Sequence, residues 1–551
     1  MPSDLAHAVD LAAARRVGTF RGKPPRYCVL TACPGGVAHG AVSTAKGSPV
    51  STPLPPNGSS ALSSRGEPGP GSGRRGRDQR WQALAVCLVA GFMTLLDVSI
   101  VNVALPSVRN GLHLSESGVQ WVLSGYSLAF GLALVPGGRL GDARSRRAVF
   151  MTGLALFTAA SAVAGAAQNE AWLVGARLVQ GMAGGVLVPQ VSGFIQQLFR
   201  GPERGRAFGM LGATIGISTS VGPLLGGLLI EAFGAGEGWR WVFYVNLPIG
   251  LLALPAAYRL LPAPTLPQAG GAQPRRSDFD PVGVLLLGSG TLLLLLPFVQ
   301  QQWQNDAKWL LVPVAMVLLA LFVAWELRYG RRREPLVRMS LFEARSYSLG
   351  VLLSLVYFAG FTAIFFIFSL YLQAGQHYSA LLAGLAITPF ALGSGVSAAV
   401  GGRVVHRFGR PLVTFGLVLV VLGLTGAALA VHLWSGRQVG WATALPLLVA
   451  GVGSGLVVSP NQTLTLGEVP VVRAGSAGGV LQTAQRIGSA IGIAAVGSVF
   501  FSQAAAHHQD WAGAFQQALL VALAFVALAL LAALADLFGG RARRALAAAR
   551  P

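Results

Sequence analysis

Fourteen apolar segments, each long enough to cross a lipid bilayer, limit what this chain can fold into more than any other feature of the sequence. A transmembrane helix needs about 20 predominantly apolar residues. The composition agrees, because 53% of the 551 residues are hydrophobic and only 11% are charged. The pattern therefore predicts an all-α polytopic membrane protein. The predicted spans lie near residues 81–106, 119–138, 148–168, 171–195, 204–232, 240–261, 282–302, 308–328, 347–373, 380–402, 411–433, 441–465, 474–502 and 512–537.

A turn rich in glycine and arginine occurs twice, each time between two apolar segments. Residues 138–147 read GRLGDARSRR, and residues 402–410, about 264 positions later, read GRVVHRFGR. The first and ninth spans are offset by nearly the same distance, so the sequence predicts one six-helix unit used twice with two spans inserted between the copies. The predicted organisation is a basic tail at 1–80, a six-helix half at 81–261, a linker with two extra spans at 262–346, a second six-helix half at 347–537 and a basic tail at 538–551.

The tail at 1–80 is rich in Pro, Gly, Ser and Arg and has no sustained periodicity. We expect it to be disordered, because such a segment has too little apolar surface to bury. Contact with anionic lipid, a freely solvated tail and a start codon assigned too far upstream are the alternatives that the sequence leaves open.

The distribution of basic residues predicts the orientation in the membrane. If the N-terminus is inside, the inner connections and the C-terminal tail carry 24 arginines and the outer connections carry four basic residues. Cytoplasmic loops of membrane proteins are enriched in Lys and Arg, so we expect a multi-pass protein of the plasma membrane with both termini in the cytoplasm. The net charge of +21 then needs no nucleic-acid partner to explain it.

Asp97 is the one acid that the sequence places well inside a predicted span, within the run LDVSIVNVALP at 96–106. A charged side chain at this depth costs about 2.5–3.5 kcal/mol on insertion scales, which makes it a functional candidate by default. Arg177 in the fourth span lies at a similar depth, and we expect the two side chains to pair. Such a pair can exchange its ionic contact for a proton on Asp97, as proton coupling requires; a permanent structural ion pair is the alternative.

Three motifs together resemble the major facilitator superfamily, and the likeness extends from about residue 81 to residue 538. The turn at 138–147 resembles the loop signature G-x-L-x-D-R-x-G-R, with Ala143 and Ser145 in place of the usual arginine and glycine. The run at 177–185 is similar to the fourth-span signature R-x-x-x-G. The run at 218–227 resembles the antiporter signature G-x-x-x-G-P-x-x-G-G, and the fourteen-span plan resembles the drug:proton antiporter branch of the superfamily.

The resemblance implies two kinds of functional position. Gly138 and Asp142, with Arg146 or Arg206, belong to a charge cluster that gates the cytoplasmic side; a solvated charge run is the alternative. The span-5 signature marks exporters rather than symporters, although close helix packing alone would also select small residues. Its defining positions here are Gly222, Pro223, Gly226 and Gly227.

Four polar residues in the spans are candidates for the substrate path. For Gln180, Asn461 and Gln462, hydrogen bonding between helices is the alternative. Arg486 stands one position after the place where many members of the family carry an arginine, and one residue turns a side chain by about 100° around a helix. The ninth span also carries an aromatic stripe that can stack on a substrate or serve packing alone: Phe361, Phe365, Phe366 and Tyr371.

These observations predict a proton-coupled secondary transporter that exports amphipathic small molecules by alternating access of its two halves. We expect no cofactor and no metal, the His507–His508 pair being a weak candidate, and we expect the proton gradient to supply the energy. The expected partners are a lipophilic substrate, protons and membrane lipid, and we expect a monomer. Because Asp97 is the single anchor for a cation, neutral or monovalent substrates are favoured over multivalent cations.

Several alternatives belong to other functional classes. The sequence contains no H-E-x-x-H, G-x-S-x-G or P-loop pattern, which argues against a membrane enzyme and an ATP-driven pump. An exporter of one specific metabolite, a symporter or uniporter, and a non-transporting sensor or scaffold on the same fold stay open. A scaffold has no need of an ion pair inside the membrane, so the Asp97–Arg177 pair favours transport.

Overall fold

The computed structural model describes residues 72–234, 236–262, 280–299, 306–506 and 510–548, and every regular element in these ranges is a helix. Within these ranges, fourteen spans are long and apolar enough to cross a membrane, as the sequence predicts. The helices that form spans 1 to 14 are Ser72–Leu112, Glu116–Ala143, Arg146–Gly165, Glu170–Leu198, Gly201–Phe233, Gly238–Tyr244 with Asn246–Leu260, Pro281–Val299, Leu311–Tyr329, Arg345–Leu370, Ala380–Phe408, Arg410–Leu433, Val439–Ala442 with Ala444–Thr465, Ala474–Ala506 and Trp511–Ala548.

The two ends of the described chain differ from the predicted boundaries. The first helix begins at Ser72, ahead of the predicted start at residue 81, and the last helix continues to Ala548, past the predicted end at 537. Residues 1–71, which make up most of the tail expected to be disordered, lie outside the described residues, as does the His507–His508 pair.

Polar residues at the loop ends begin several of these apolar helices. The side chains of Ser115, Asn169 and Ser379 each accept a hydrogen bond from a backbone N–H in the first turn of the helix that follows. Ser145, which replaces the usual glycine of the loop signature, caps span 3 in the same way. Such caps satisfy N–H groups that have no partner within the helix, so the spans are delimited by the short polar turns seen in the sequence.

The spans form two six-helix halves, spans 1–6 and spans 9–14, with spans 7 and 8 inserted between them. One apolar cluster, around Tyr357 and Leu417, lies within the second half, and another, around Phe150 and Phe157, lies mainly in the first half and extends to Ala477 of the second. Lipid is as apolar as these side chains, so the association of the helices depends on close packing rather than on exclusion of water.

The two halves meet where glycines let their backbones approach. A β-carbon on Gly205 of span 5 would lie 2.4 Å from the carbonyl oxygen of Gly402 in span 10. A β-carbon on Gly138 of span 2 would lie 2.3 Å from the carbonyl oxygen of Gly475 in span 13. Any larger residue would force these helices apart. Both crossings lie toward the side of the bundle that carries the turns at 138–147 and 402–410, which we call the basic side.

The inserted pair, spans 7 and 8, packs against span 2, the helix that leads into the first basic turn. Val135 of span 2 packs in one apolar cluster with Phe322 of span 8 and Leu336 of the segment that leads to span 9. Beside it Arg139 donates a hydrogen bond of 2.7 Å to Glu334. This bond holds the pKa of the Glu334 carboxyl below its usual range. The inserted spans therefore contact the first half at the basic side.

Candidate functional site

Asp97 and Arg177 form an ion pair in the interior of the first half. The Nη1 atom of Arg177 donates to Oδ2 of Asp97 over 2.6 Å, and the two side chains are 0% and 1% exposed. The contact expected from their equal depth is therefore present. A charge-assisted hydrogen bond of this length, shielded from water, is among the stronger polar interactions in a protein.

Neighbouring spans satisfy the remaining lone pairs of Asp97. Gln180 and Asn246 donate to its Oδ1 atom over 2.8 Å and 3.1 Å. Gln180 also accepts from Arg177 over 2.7 Å, and Ser161 accepts from both amides. Spans 1, 4 and 6 are thus joined through one carboxylate, and span 3 is joined to them through the Ser161 hydroxyl. We refer to Asp97, Ser161, Arg177, Gln180 and Asn246 as the acid cluster.

Aromatic rings cover Arg177 on its remaining sides. Its Cζ atom lies 4.2 Å from the ring centroid of Tyr126 and 5.7 Å from that of Phe243, and its Nε atom donates to the carbonyl oxygen of Val122. The positive charge is therefore balanced by one carboxylate and held against the faces of two rings. This arrangement fixes the guanidinium and leaves Asp97 as its one ionic partner among the described residues.

At the basic side, Asp142 connects the two halves. Its carboxylate accepts from the backbone N–H groups of Gly475 and Ser476 over 3.0 Å and 2.7 Å and from the Ser476 hydroxyl over 2.8 Å. These groups belong to the first turn of span 13, where the partial positive charge of a helix N-terminus favours an anion. Arg146 pairs with Asp142 over 2.8 Å and donates to the carbonyl oxygen of Val471. Of the two arginines that the sequence offered as partners, the structure brings Arg146 and not Arg206 to Asp142.

The antiporter signature of span 5 packs directly against the part of span 1 that follows Asp97. A β-carbon on Gly222 would lie 1.9 Å from the Ser99 hydroxyl oxygen, and one on Gly226 would lie 3.0 Å from Ile100. Ser99 donates to the carbonyl oxygen of Ser218 across the same contact. Gly227 differs, because a β-carbon there would meet nothing within 4 Å.

Pro223, also in the signature, lies inside the continuous helix Gly201–Phe233 and near span 10. A β-carbon on Gly384 would lie 3.5 Å from the Pro223 side chain. Close packing, the alternative explanation of the signature, therefore applies to Gly222 and Gly226 but not to Gly227.

A cavity of about 300 Å³ lies between the halves. Spans 1, 2, 4 and 5 line it from one side and spans 9, 10, 12 and 13 from the other. On span 13 the lining runs from Gln482 to Ser489, whereas the crossing with span 2 lies at Gly475, nearer the basic side. Ser192 accepts from Gln462 and Gln482 where the halves meet at the cavity. The basic side of the cavity is therefore closed by contacts between the halves.

Two of the candidates for the substrate path, Arg486 and Gln180, have different surroundings. Arg486 lines the cavity, and its Cζ atom lies 4.5 Å from the ring centroid of Phe130. Gln180 does not line it, because its side chain is fully buried in the acid cluster. The expectation that Gln180 lines the path is therefore wrong, and the alternative, a hydrogen bond between helices, describes its place.

The neighbours Asn461 and Gln462 also have different surroundings. Gln462 lines the cavity, whereas Asn461 donates to the carbonyl oxygen of Gly350 and to the Ser354 hydroxyl and accepts from Arg410. Consecutive residues project about 100° apart on a helix, so one faces the cavity and the other faces span 9. Asn461 is therefore a contact between helices and not a residue of the cavity wall.

The aromatic stripe of span 9 divides in the same way. Phe361 and Phe365 line the cavity. Phe366 packs on Phe501, and Tyr371 stacks on Phe515 with ring centroids 4.9 Å apart. Half of the stripe therefore faces the cavity and half packs against spans 13 and 14.

Sequence reasoning missed two features of the interior. Asn246 stands in the run WRWVFYVNLP at 239–248, which reads as an aromatic belt, yet its amide contacts Asp97. Glu326 of span 8 is 2% exposed and accepts from the backbone N–H of Val337, so Asp97 is not the only buried acid in the spans. A carboxamide in an apolar run is the signal that could have identified Asn246; Glu326 lies close to the end of its span and resembles a loop residue.

Two six-helix halves around one cavity, closed at one side of the membrane and containing a buried ion pair, define a secondary transporter of the alternating-access class. The family model described as Major Facilitator Superfamily matches residues 87–493. The chain belongs to that superfamily.

Relatives extend over most of the chain. It is 38% identical over 465 residues to a probable actinorhodin transporter of Streptomyces coelicolor, which covers 82% of this chain and 79% of the relative. It is 32% identical to the tetracenomycin C resistance and export protein of Streptomyces glaucescens, over 79% of this chain and 78% of the relative. These matches group the chain with the drug efflux transporters of the superfamily.

Solved structures share the fold at low sequence identity. The human organic anion transporter MFSD10 matches with a TM-score of 0.61 and 18% identity, covering 82% of this chain and 99% of that protein. This likeness supports the two-half architecture and carries no information about the substrate.

Proposed function

We propose that this protein is a proton-coupled antiporter that exports amphipathic small molecules from the cytoplasm. In this proposal the basic side faces the cytoplasm, both termini lie there, and the protein acts as a monomer in the plasma membrane without a cofactor. The names of the relatives, which refer to actinorhodin and tetracenomycin C, support substrates of the antibiotic class. The observation that carries the proposal is the acid cluster, because a transporter driven by protons needs one buried acid that can exchange its ionic partner for a proton.

Protonation of Asp97 would change the forces within the acid cluster. The neutral acid loses its ionic attraction to Arg177 but can donate a hydrogen bond. The Oδ1 atom of Asn246 is a buried acceptor without a hydrogen-bond partner among the described residues. Because the two ends of a carboxamide are assigned from the hydrogen-bond network, a rotation of this amide by half a turn would present Oδ1 to the protonated acid. Asn246 then acts as a positioning residue in both states of Asp97.

Contacts of spans 1 and 5 connect Asp97 to the place where the two halves cross. Ser99, half a turn after Asp97, donates to Ser218 and contacts Gly222 of span 5. Span 5 in turn crosses span 10 of the other half at Gly205 and Gly402. A shift of span 1 when Asp97 takes up a proton would therefore reach the surface on which the two halves rock.

The closed basic side corresponds, in this proposal, to the conformation that faces outward. Protons would enter from the outside and reach Asp97, and the contacts of Asp142 with span 13 would then break to open the cavity to the cytoplasm. Substrate would enter the cavity, and release of the proton to the cytoplasm would restore the ion pair with Arg177. Each cycle exchanges inward proton movement for outward substrate movement.

Inverted membrane vesicles with an acidic interior test this proposal. Addition of a panel of lipophilic compounds should dissipate the pH gradient in vesicles that contain the wild-type protein. Asp97→Asn should abolish the response, and Asn246→Leu should reduce it. Asn461→Leu is the control, because it removes a buried amide outside both the acid cluster and the cavity. A response that survives in Asp97→Asn would remove Asp97 from the coupling step.

A further inference from the structure

The cavity has one charged side chain in its described lining, and that side chain is positive. Arg486 of span 13 borders the cavity beside Gln482 and Ser489, which lie about one helical turn away on the same face. No other lining residue is an arginine, lysine, aspartate or glutamate. The fixed charge that a bound molecule meets in this cavity is therefore a cation.

Arg486 has no ionic or hydrogen-bonding partner among the described residues. Its nearest aromatic contact is Phe130, which offers a ring face to the guanidinium. Asp97, the acid that could have served the cavity, is fully buried and already pairs with Arg177. Arg486 is partly exposed to the cavity, and a charge held inside a membrane protein without a counter-ion is unfavourable, so the cavity favours an anion beside Arg486.

The part of the cavity wall formed by spans 9 and 10 is aromatic. Phe361 and Phe365 of span 9 surround Phe390 of span 10, with ring centroids 5.8 Å and 5.0 Å from that of Phe390. Flat apolar molecules pack well against such rings. The volume of about 300 Å³ is at the lower end of the range for small-molecule sites.

We propose that the cavity binds aromatic weak acids, whose carboxylate or other acidic group pairs with Arg486 while the ring system packs against Phe361, Phe365 and Phe390. This substrate class rests on the proposed export function of the cavity. It replaces the expectation that Asp97 provides an anchor for a cation, because Asp97 does not reach the cavity. It also gives the two arginines within the spans separate tasks, since Arg177 holds the coupling acid and Arg486 holds the substrate.

Binding to the purified full-length protein tests the proposal without requiring transport. The probes are three pyrene derivatives of similar size: pyrene-1-carboxylate, pyrene-1-carboxamide and a pyrenylmethyl-trimethylammonium ion. Isothermal calorimetry in lipid nanodiscs, with empty nanodiscs subtracted, should give the wild type at least about tenfold higher affinity for the carboxylate than for the carboxamide. The quaternary ammonium ion should bind more weakly than both.

Three variants separate the charge of Arg486 from its packing. Arg486→Gln should remove the preference for the carboxylate and leave carboxamide binding unchanged, which also shows that the variant is folded. Arg486→Lys should retain part of the preference, because the charge remains. Arg331→Gln, which removes an exposed arginine outside the spans, should change nothing.

The proposal is overturned if the ammonium probe binds the wild type as tightly as the carboxylate, if Arg486→Gln keeps the preference, or if none of the three probes binds. Failure of the export proposal is distinguishable from these results. Binding of the carboxylate without any dissipation of the pH gradient in vesicles would contradict export and retain the substrate class. Export of cations alone would support the export function and contradict the proposed substrate class.

Discussion

Two arginines within the spans, one in each half, show how differently a positive charge can be held inside this membrane protein. Arg177 in the first half is fully enclosed, contacts Asp97 over 2.6 Å and lies against two aromatic rings. Arg486 in the second half borders the cavity and has an aromatic contact but no counter-ion among the described residues. The first arrangement is complete within the protein, and the second requires a partner from outside it. The difference suggests that the coupling acid and the charge that anchors the substrate belong to different halves.

The two copies of the basic turn show the same asymmetry at the membrane surface. The side chain of Asp142 in the first copy is fully buried and contacts span 13 of the other half. His406 holds the corresponding place in the second copy and is exposed. Arg410, the counterpart of Arg146, bonds to Ser346 within its own half. The first copy therefore contacts the other half through a carboxylate, whereas the second copy contacts it through the close approach of Gly402 to Gly205.

The largest expected effect comes from breaking the complete pair. Arg177→Gln leaves the Asp97 carboxylate buried without its cation, which should lower the free energy of unfolding by about 3–5 kcal/mol. The double variant Asp97→Asn/Arg177→Gln should recover part of this loss, because the remaining groups are neutral. Arg486→Gln should be stable by comparison. Thermal unfolding in detergent measures all three, and equal destabilisation by Arg177→Gln and Arg486→Gln would contradict the distinction between the two arginines.

A second comparison lies within the span-5 signature. Gly222→Val should separate spans 1 and 5 beside Asp97 and cost about 1–3 kcal/mol by overpacking, with loss of transport. Gly227→Val places the same side chain where a β-carbon meets nothing within 4 Å and should be tolerated. Vesicle transport and thermal stability of the two variants check this. If Gly227→Val lost as much transport and thermal stability as Gly222→Val, the contacts between spans 1 and 5 would not explain why glycine occupies these positions.

A third test compares the two basic turns. Asp142→Asn weakens the charge-assisted bonds to Gly475 and Ser476 and should open the basic side, at a cost of about 1–3 kcal/mol to the closed state. His406→Asn changes the matching position in the other copy and should have no effect. Disulfide crosslinking between cysteines placed in spans 2 and 13 reports closure. Unchanged crosslinking in Asp142→Asn would exclude this aspartate as the gate contact.

The smallest expected effect concerns the inserted spans. Arg139 lowers the pKa of Glu334 by a hydrogen bond, so the stabilisation that this contact provides is present above the ordinary glutamate pKa. It is lost as the pH falls through the lowered pKa of the folded protein. Because Glu334 is 45% exposed, the effect on stability is small. Thermal unfolding of Glu334→Gln and the wild type should converge at acidic pH, and a constant difference at every pH would contradict this explanation.

Much of this arrangement is predictable from the sequence, because depth along a helix is linear in residue number. The fourteen spans, the repeated unit and the pairing of Asp97 with Arg177 all follow from the length of apolar segments and the cost of charge in lipid. What the sequence does not determine is the rotation of each helix. Asn461 and Gln462 are adjacent and both polar, yet one bonds to span 9 and the other faces the cavity.

Neighbours across the bundle are equally hard to predict. Gly226 and Gly227 stand side by side in the signature, and only Gly226 lies against span 1. Asn246 contacts Asp97 from within a run of aromatic residues. Aromatic residues are common at the membrane surface, so the run gives no sign of this contact. The side on which Arg486 lies depends on the packing of span 13 against spans 2 and 9, which no local pattern encodes.

Proton release on substrate binding tests the central claim, that Asp97 is the acid that couples proton movement to transport. A transported compound is added to the purified protein in weakly buffered detergent solution, and the change in pH is converted to protons per bound molecule. The account predicts proton release from the wild type and none from Asp97→Asn, with substrate affinity retained. Equal release from both proteins would contradict it, because another group would then carry the proton.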